Sequence, residues 1–162
     1  MSPRIRTTHA GSLPRPVELQ QLLARRYAGD AIAHARLDAL VAEATCDVVR
    51  RQHALGIDVV NNGEMGRDGF FTYVATRMTG FSGHGQRKPM RDLVKYPHFL
   101  AYLQRTAFSA DSVSLIQPPA ATGAIRYRDR EAIDAECRAL AGALAEVGRQ
   151  PADAFVSVPS PG

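Results

Sequence analysis

The chain has 162 residues, 45% hydrophobic and 22% charged, a balance that fits one folded domain over residues 1–162 and excludes a disordered segment. Its net charge of +4 and pI of about 9.4 are diffuse. Lys and Arg are interleaved with Asp and Glu, with no basic run or aromatic-basic repeat, which argues against nucleic acid and leaves anionic small molecules open. No stretch approaches the roughly 18 apolar residues of a membrane span, and no signal-like apolar region follows Met1-Ser2-Pro3-Arg4. A cytoplasmic protein without a membrane partner is expected, with Cys46 and Cys137 reduced.

In chain order, Ile5, Thr7 and Thr8 lead as a strand into Gly11-Ser12, and Pro14 and Pro16 stop it. Gly11 frees the backbone for close approach to a ligand. A helix follows, with Val17, Leu19, Leu22 and Leu23 at helical spacing. Ala28-Gly29-Asp30 breaks the pattern, and Asp30 is the expected N-cap of a longer helix. Leu37, Leu40, Val41, Ala44 and Val48 form the apolar face of that helix, and Gly56 closes it. Ile57-Asp58-Val59-Val60 is a short buried strand that stops at Asn61-Asn62-Gly63-Glu64.

Beyond it, Asp68 to Met78 reads as a short helix rich in aromatics through Phe70, Phe71 and Tyr73. Glycines and charges from Gly80 to about Tyr96 predict a long surface loop, the start of an excursion near residues 80–110, within which Pro97 to Arg105 is one further helix. Ser112 to Ile116 and Thr122 to Tyr127 read as strands. Asp129 is a candidate cap for a helix whose face is Ile133, Cys137, Leu140, Ala141 and Leu144, ending at Gly148. Ala154 to Val158 is a final strand before Pro159-Ser160-Pro161-Gly162. This alternation predicts a parallel α/β fold.

The notable strand ends lie at Thr8–Ser12, Val60–Glu64, near Tyr127 and at Val158–Gly162. In a (β/α)8 barrel, functional residues occupy the loops after the strands. A complete barrel takes about 250 residues, so the expected architecture is a partial (β/α)8 TIM barrel of about the first four β/α units. A small open α/β sheet is the alternative. A parallel strand ending without a covering helix would leave an edge open to self-association.

Gly63-Glu64-Met65-Gly66-Arg67-Asp68 gathers two carboxylates and a guanidinium just past a buried strand. A carboxylate there can hold a substrate ammonium, while the Gly11-Ser12 loop can offer a hydroxyl and backbone N–H groups to a substrate carboxylate. Together they suit an amino acid. The alternative for Glu64 is a local ion pair with Arg67. His9 is near these loops and serves to orient the first of them or to meet a ligand, the alternative being a hydrogen-bonded structural histidine.

Thr7-Thr8-His9-Ala10-Gly11-Ser12-Leu13-Pro14-Arg15-Pro16 and Asp58-Val59-Val60-Asn61-Asn62-Gly63-Glu64-Met65-Gly66-Arg67 resemble the catalytic barrel of the cobalamin-independent methionine synthase family and its shorter relatives. Tyr73 to Phe81, Thr122 to Tyr127 and Ser157 to Gly162 are similar too, so the resemblance covers most of the chain. It implies zinc-dependent methyl transfer from a methylated folate to homocysteine. Ala10, Gly11 and Ser12 match the loop that holds the amino-acid moiety of homocysteine, Glu64 matches its acidic partner, and Arg87 corresponds to a folate-contacting arginine. No catalytic residue carries over.

The departure is on the metal. The family supplies zinc ligands from a His-x-Cys motif and a later cysteine, and this sequence has no His-x-Cys. Cys46 and Cys137, with apolar neighbours on helix faces, read as buried structural cysteines rather than ligands. The resemblance therefore implies an amino-terminal fragment, carrying the amino-acid-binding half of the site and inactive alone. Two other readings stay open. One is a thiol alkyltransferase of the same superfamily, of the epoxyalkane to coenzyme M type; the other is a non-catalytic half-barrel assembly module.

Overall fold

The computed structural model describes residues 4–69, 72–85, 91–106, 119–128 and 130–158. Helices and strands mix in an α/β chain that folds as two compact units, the first built from residues 1–19, 33–66 and 130–162 and the second from 20–32 and 67–129. Helix α1, Val17–Ala28, crosses this division. Its Leu19 and Leu23 are buried as the spacing predicts, whereas Val17, expected on the same face, is 71% exposed.

The first unit holds the parallel strands. Thr8 bridges Val59 in parallel, and β1, Val60–Asn61, pairs in parallel with β4, Ala154–Phe155, matching Val60 to Ala154 and Asn61 to Phe155. Parallel neighbours need a crossover. Helix α2, His34–Ala54, makes the first, and α6, Glu131–Glu146, leads through a 3-10 turn at Pro151–Asp153 into β4. The two helices pack together over the strands through a core of Val49, Val60, Leu140, Ala143 and Leu144, against which Cys46, Ile57, Ala154 and Val156 also lie.

Both helices end on a glycine, Gly56 or Gly148, with the same pair of bonds. Gly56 N donates to His53 O and Ile57 N to Gln52 O; Gly148 N donates to Ala145 O and Arg149 N to Leu144 O. Arg149 then turns back and donates Nη1 to Asp58 O at 2.7 Å, tying the end of α6 to the approach of β1.

The expected N-cap at Asp30 is not one. Helix α2 starts after Ala33, which makes no side-chain cap, and Asp30 instead closes the end of α1, its N–H donating to Arg25 O and its carboxylate facing Arg25 Nε at 3.3 Å. The count of strands also changes. Thr122 to Tyr127, expected as a strand of the parallel alternation, belongs to β3, Pro119–Tyr127, which pairs antiparallel with β2, Met78–His84, in the second unit. Most of β3 is exposed, which a strand sandwiched in a parallel sheet would not be. Among the described residues the parallel register therefore runs from Thr8 through β1 to β4, three segments rather than four, and no closed sheet is seen.

In the second unit, the loop expected from Gly80 is instead strand β2. Its glycines mark irregularities in the pairing between Thr79 and Phe81 and between Ser82 and His84. The excursion also contains α4, Arg91–Lys95, which the sequence reading missed, and α5, Pro97–Thr106, close to its expected span. Of the helix expected over Asp68 to Met78, Val74–Arg77 is helical and forms α3. Phe70, Phe71, the Ser112–Ile116 strand and the Asp129 cap lie outside the described residues.

Gly80 is held at φ 84°, and a Cβ there would stand 2.6 Å from Ala124 O, closer than real contacts allow. We expect Gly80→Ala to destabilise the β2–β3 ribbon by about 1–3 kcal/mol. Hydrogen exchange read at the Thr79 and Arg126 amides should accelerate while Val60 stays protected; unchanged exchange at both ribbon amides would contradict this packing.

Candidate functional site

The first unit brings the ends of its three parallel segments together on one carboxylate. The turn after β1 is shaped by consecutive asparagines. Asn61 Oδ1 accepts from Gly63 N at 2.8 Å and Asn62 Oδ1 from Glu64 N at 3.1 Å. These local bonds hold Glu64 at φ 56°, a left-handed conformation that a non-glycine residue adopts at a cost. Asn61 is fixed in turn by the buried Gln52 of α2, whose Nε2 donates to Asn61 O at 2.8 Å and whose Oε1 accepts from Asn61 N at 3.1 Å.

Glu64 is 3% exposed. Ser12 Oγ donates to its Oε2 at 2.6 Å, and Ser157 Oγ donates to its Oε1 at 2.8 Å. The first serine comes from the loop after Thr8, the second from the residues just past β4. Arg15 braces the same turn from behind the first loop, donating Nη2 to Glu64 O at 2.8 Å and Nε to Met65 O at 3.4 Å. Leu13 N donates to Gly63 O at 3.1 Å, so the two loops are laced together by main chain as well as side chain.

The first loop has its own anchor. Asp58 accepts from Arg4 Nη2 at 2.6 Å, from Thr7 N at 2.8 Å and from Thr7 Oγ1 at 3.0 Å. The Arg4 hydrogen bond first, then the two from Thr7, hold its carboxyl well below the usual carboxylate range. Thr8 Oγ1 adds a bond to Val59 O at 2.7 Å, and Asn61 Nδ2 donates to His9 O at 2.6 Å. The His9 ring is half-buried, and its Nε2 has no hydrogen-bond partner among the described residues.

Of the residues expected in the site, Ser12 and Glu64 are thus in direct contact. Gly11 stands at φ 95°, and a Cβ there would touch nothing within 4 Å, so it is the backbone angle and not space that calls for glycine. Ala10 is exposed beside it, and Arg87 lies outside the described residues. Asp68, the second carboxylate of the motif, belongs to the second unit, where Arg26 donates to it from both Nε and Nη2. Arg67, in the same unit, is buried with its guanidinium over the Tyr73 ring at 4.7 Å.

Ser157, Arg15, Asn61 and Gln52 were missed by the sequence reading. Ser157 sits just past a strand end, as Ser12 and Glu64 do, and that shared position is the signal that could have found it. Period-2 alternation along the last strand turns Ala154 and Val156 to the helices, placing Ser157 on the opposite side with Phe155.

The cysteines divide. Cys46 packs at the core, and its Sγ lies 3.5 Å from Glu146 Oε1; burial first, then this bond, pushes its thiol up. Cys137, expected to be buried, is exposed, because α6 presents Leu140, Ala143 and Leu144 to the core instead. Among the described residues no three His, Cys, Asp or Glu side chains converge as a metal cluster. A zinc ion asks for about four N, S or O donors around one point, and the described residues do not fit it.

The chain matches the family described as "Cobalamin-independent synthase, Catalytic domain" over residues 5–91. The chain belongs to the cobalamin-independent synthase family. Over 79 residues, 49% of the chain, it is 37% identical to the methionine synthase of Sulfolobus acidocaldarius, covering 23% of that protein. Over 80 residues, again 49% of the chain, it is 35% identical to the 5-methyltetrahydropteroyltriglutamate–homocysteine methyltransferase of Ralstonia pickettii, covering 10% of it. The probable enzyme of that name in Schizosaccharomyces pombe is 34% identical over 79 residues, 49% of the chain and 10% of the relative. The matched stretch thus spans less than a quarter of the length of each of these synthase-family relatives. The family match takes in Ser12 and Glu64 and stops well before Ser157. Among the described residues, no helix is long and apolar enough to cross a membrane.

Asp58 gives this region a pH signature. Its native carboxyl titrates below the unfolded value, so the stability it contributes is complete above about pH 4 and is lost as pH falls toward the native value. We expect Asp58→Asn to lower the melting temperature at pH 7, and the gap from the parent to narrow as pH drops below about 4. A gap that stays constant down to acid would show that the Arg4 and Thr7 bonds carry no such linkage.

Proposed function

We propose that this chain carries the amino-acid-binding part of a methyltransferase that passes a methyl group from a methylated folate to homocysteine, on a partial (β/α)8 barrel. The observation that carries the reading is Glu64. It is a buried carboxylate at a strand end, supported by hydroxyls and reached by the Gly11-Ser12 loop. Such a group takes a substrate ammonium, while Ser12 Oγ and the N–H groups around Ala10, Gly11 and Ser12 take the substrate carboxylate. The three parallel segments in order from Thr8 to β4 fit the opening of such a barrel. The names of the relatives fit the same reaction.

Attack on the methyl group requires a thiolate, and a bound zinc would supply it by deprotonating a coordinated thiol. The described residues do not provide that site, so the role of this chain is to hold the head of homocysteine. Arg87 belongs to this reading as a contact for the folate. A sulfonate thiol such as coenzyme M is the poorer acceptor here, because a sulfonate beside the Glu64 carboxylate is repelled.

The test uses homocysteine and its des-amino analogue 4-mercaptobutyrate, titrated calorimetrically into the 162-residue chain. Homocysteine should bind at least tenfold more tightly, and Glu64→Gln should remove that preference, since a charge-assisted bond to the ammonium is worth about 1.5–3 kcal/mol. Methyl transfer to homocysteine with added zinc should stay at background. Equal affinity for the two thiols would refute Glu64 as the ammonium site, and turnover would refute the non-catalytic role.

A further inference from the structure

The serine proton sets a limit that points past Ser12. A serine hydroxyl has one O–H to donate. In this structure Ser12 Oγ donates it to Glu64 Oε2 at 2.6 Å. If Ser12 is to donate to a substrate carboxylate, it must turn away from Glu64, because the same proton cannot serve both acceptors. Glu64 would then lose a hydroxyl donor at the moment its carboxylate must meet the ammonium.

Ser157 removes that conflict. Its Oγ donates to the other oxygen, Oε1, at 2.8 Å, so the two hydroxyls do not compete for one acceptor atom. It comes from the far side of the parallel register, just past β4, and is half-buried. Its direction is set by packing, since Ala154 and Val156 are committed to the α2–α6 core. Nothing assigned to the substrate by the proposed function would draw its proton away.

We infer that Ser157 is the positioning residue of the ammonium site, holding the Glu64 carboxylate by Oε1 while the Ser12 hydroxyl moves from Oε2 to the carboxylate of the incoming amino acid. This deepens the proposed function and rests on it. Ser157 touches Glu64 and not the ligand, so its loss should be felt through Glu64 alone. Ligands that lack an ammonium should not register it.

The experiment measures affinities of the 162-residue chain for homocysteine and 4-mercaptobutyrate in Ser157→Ala, Ser157→Thr, Glu64→Gln and the Ser157→Ala/Glu64→Gln double variant. Ser157→Ala should weaken homocysteine about tenfold and leave 4-mercaptobutyrate unchanged, the size expected for a hydrogen bond to a charged group. Ser157→Thr, which keeps the hydroxyl, should restore most of the loss. In the double variant, loss of Ser157 should add nothing to loss of Glu64. If Ser157→Ala does not fold, Ser157→Cys carries the same comparison with a much weaker donor.

The outcomes separate. When the parent prefers homocysteine and Glu64→Gln abolishes that preference, the ammonium site stands. In that case a Ser157→Ala affinity equal to the parent, or an equal loss for both ligands, overturns the positioning role. A parent that binds both thiols alike overturns the ammonium site, and the role of Ser157 with it.

Discussion

A carboxylate that is almost wholly removed from water is the constraint around which the first unit is arranged. Burying an unpaired charge costs several kcal/mol, so Glu64 can sit at 3% exposure only with polar partners fixed around it. The chain meets this need by bringing three segments to one point: Ser12 from the loop after Thr8, Glu64 from the turn after β1, and Ser157 from the end of β4. The parallel register of Thr8, β1 and β4 is what places those ends side by side. The helix core of Val49, Leu140, Ala143 and Leu144 is what keeps that register.

The support extends outward in layers. Gln52 grips the main chain of Asn61 on both sides, Asn61 and Asn62 cap the next two amides, and those amides set the left-handed turn at Glu64. Arg15 ties the same turn to the first loop, and Asp58 ties that loop to the start of β1. A strained residue held by this many bonds is the arrangement expected where geometry serves binding rather than stability. Replacing Glu64 by glycine would relax the backbone and remove the group for which the strain is kept.

Much of this was legible in the sequence, and the reasons it failed elsewhere are specific. Gly11-Ser12 and Gly63-Glu64 could be read because strand, glycine and polar residue follow in a fixed order at each. Ser157 could be read as strand but not as site, since Val-Ser-Val carries no turn marker and its direction depends on which face packs on α6. Strand propensity in Thr122 to Tyr127 was sound, but propensity does not name a partner, and β2 was hidden because Gly80 and Gly83 read as loop when they mark irregular pairing. Asp30 carries the right chemistry for an N-cap, yet the end of α1 claims it first.

The wide spacing of the site residues has a kinetic consequence. Ser12 and Glu64 are 52 positions apart and Glu64 and Ser157 are 93 apart, with the whole 67–129 segment of the second unit lying inside the longer interval. Loop-closure entropy must be met before contacts of such separation can form, so the site shares the high contact order of the β1–β4 pairing and the α2–α6 packing beside it. Helical turns in α2 and α6 need only near neighbours, whereas the carboxylate gains the Ser12 and Ser157 hydroxyls only once distant segments have met, which makes the paired Glu64 a marker of the fully assembled unit.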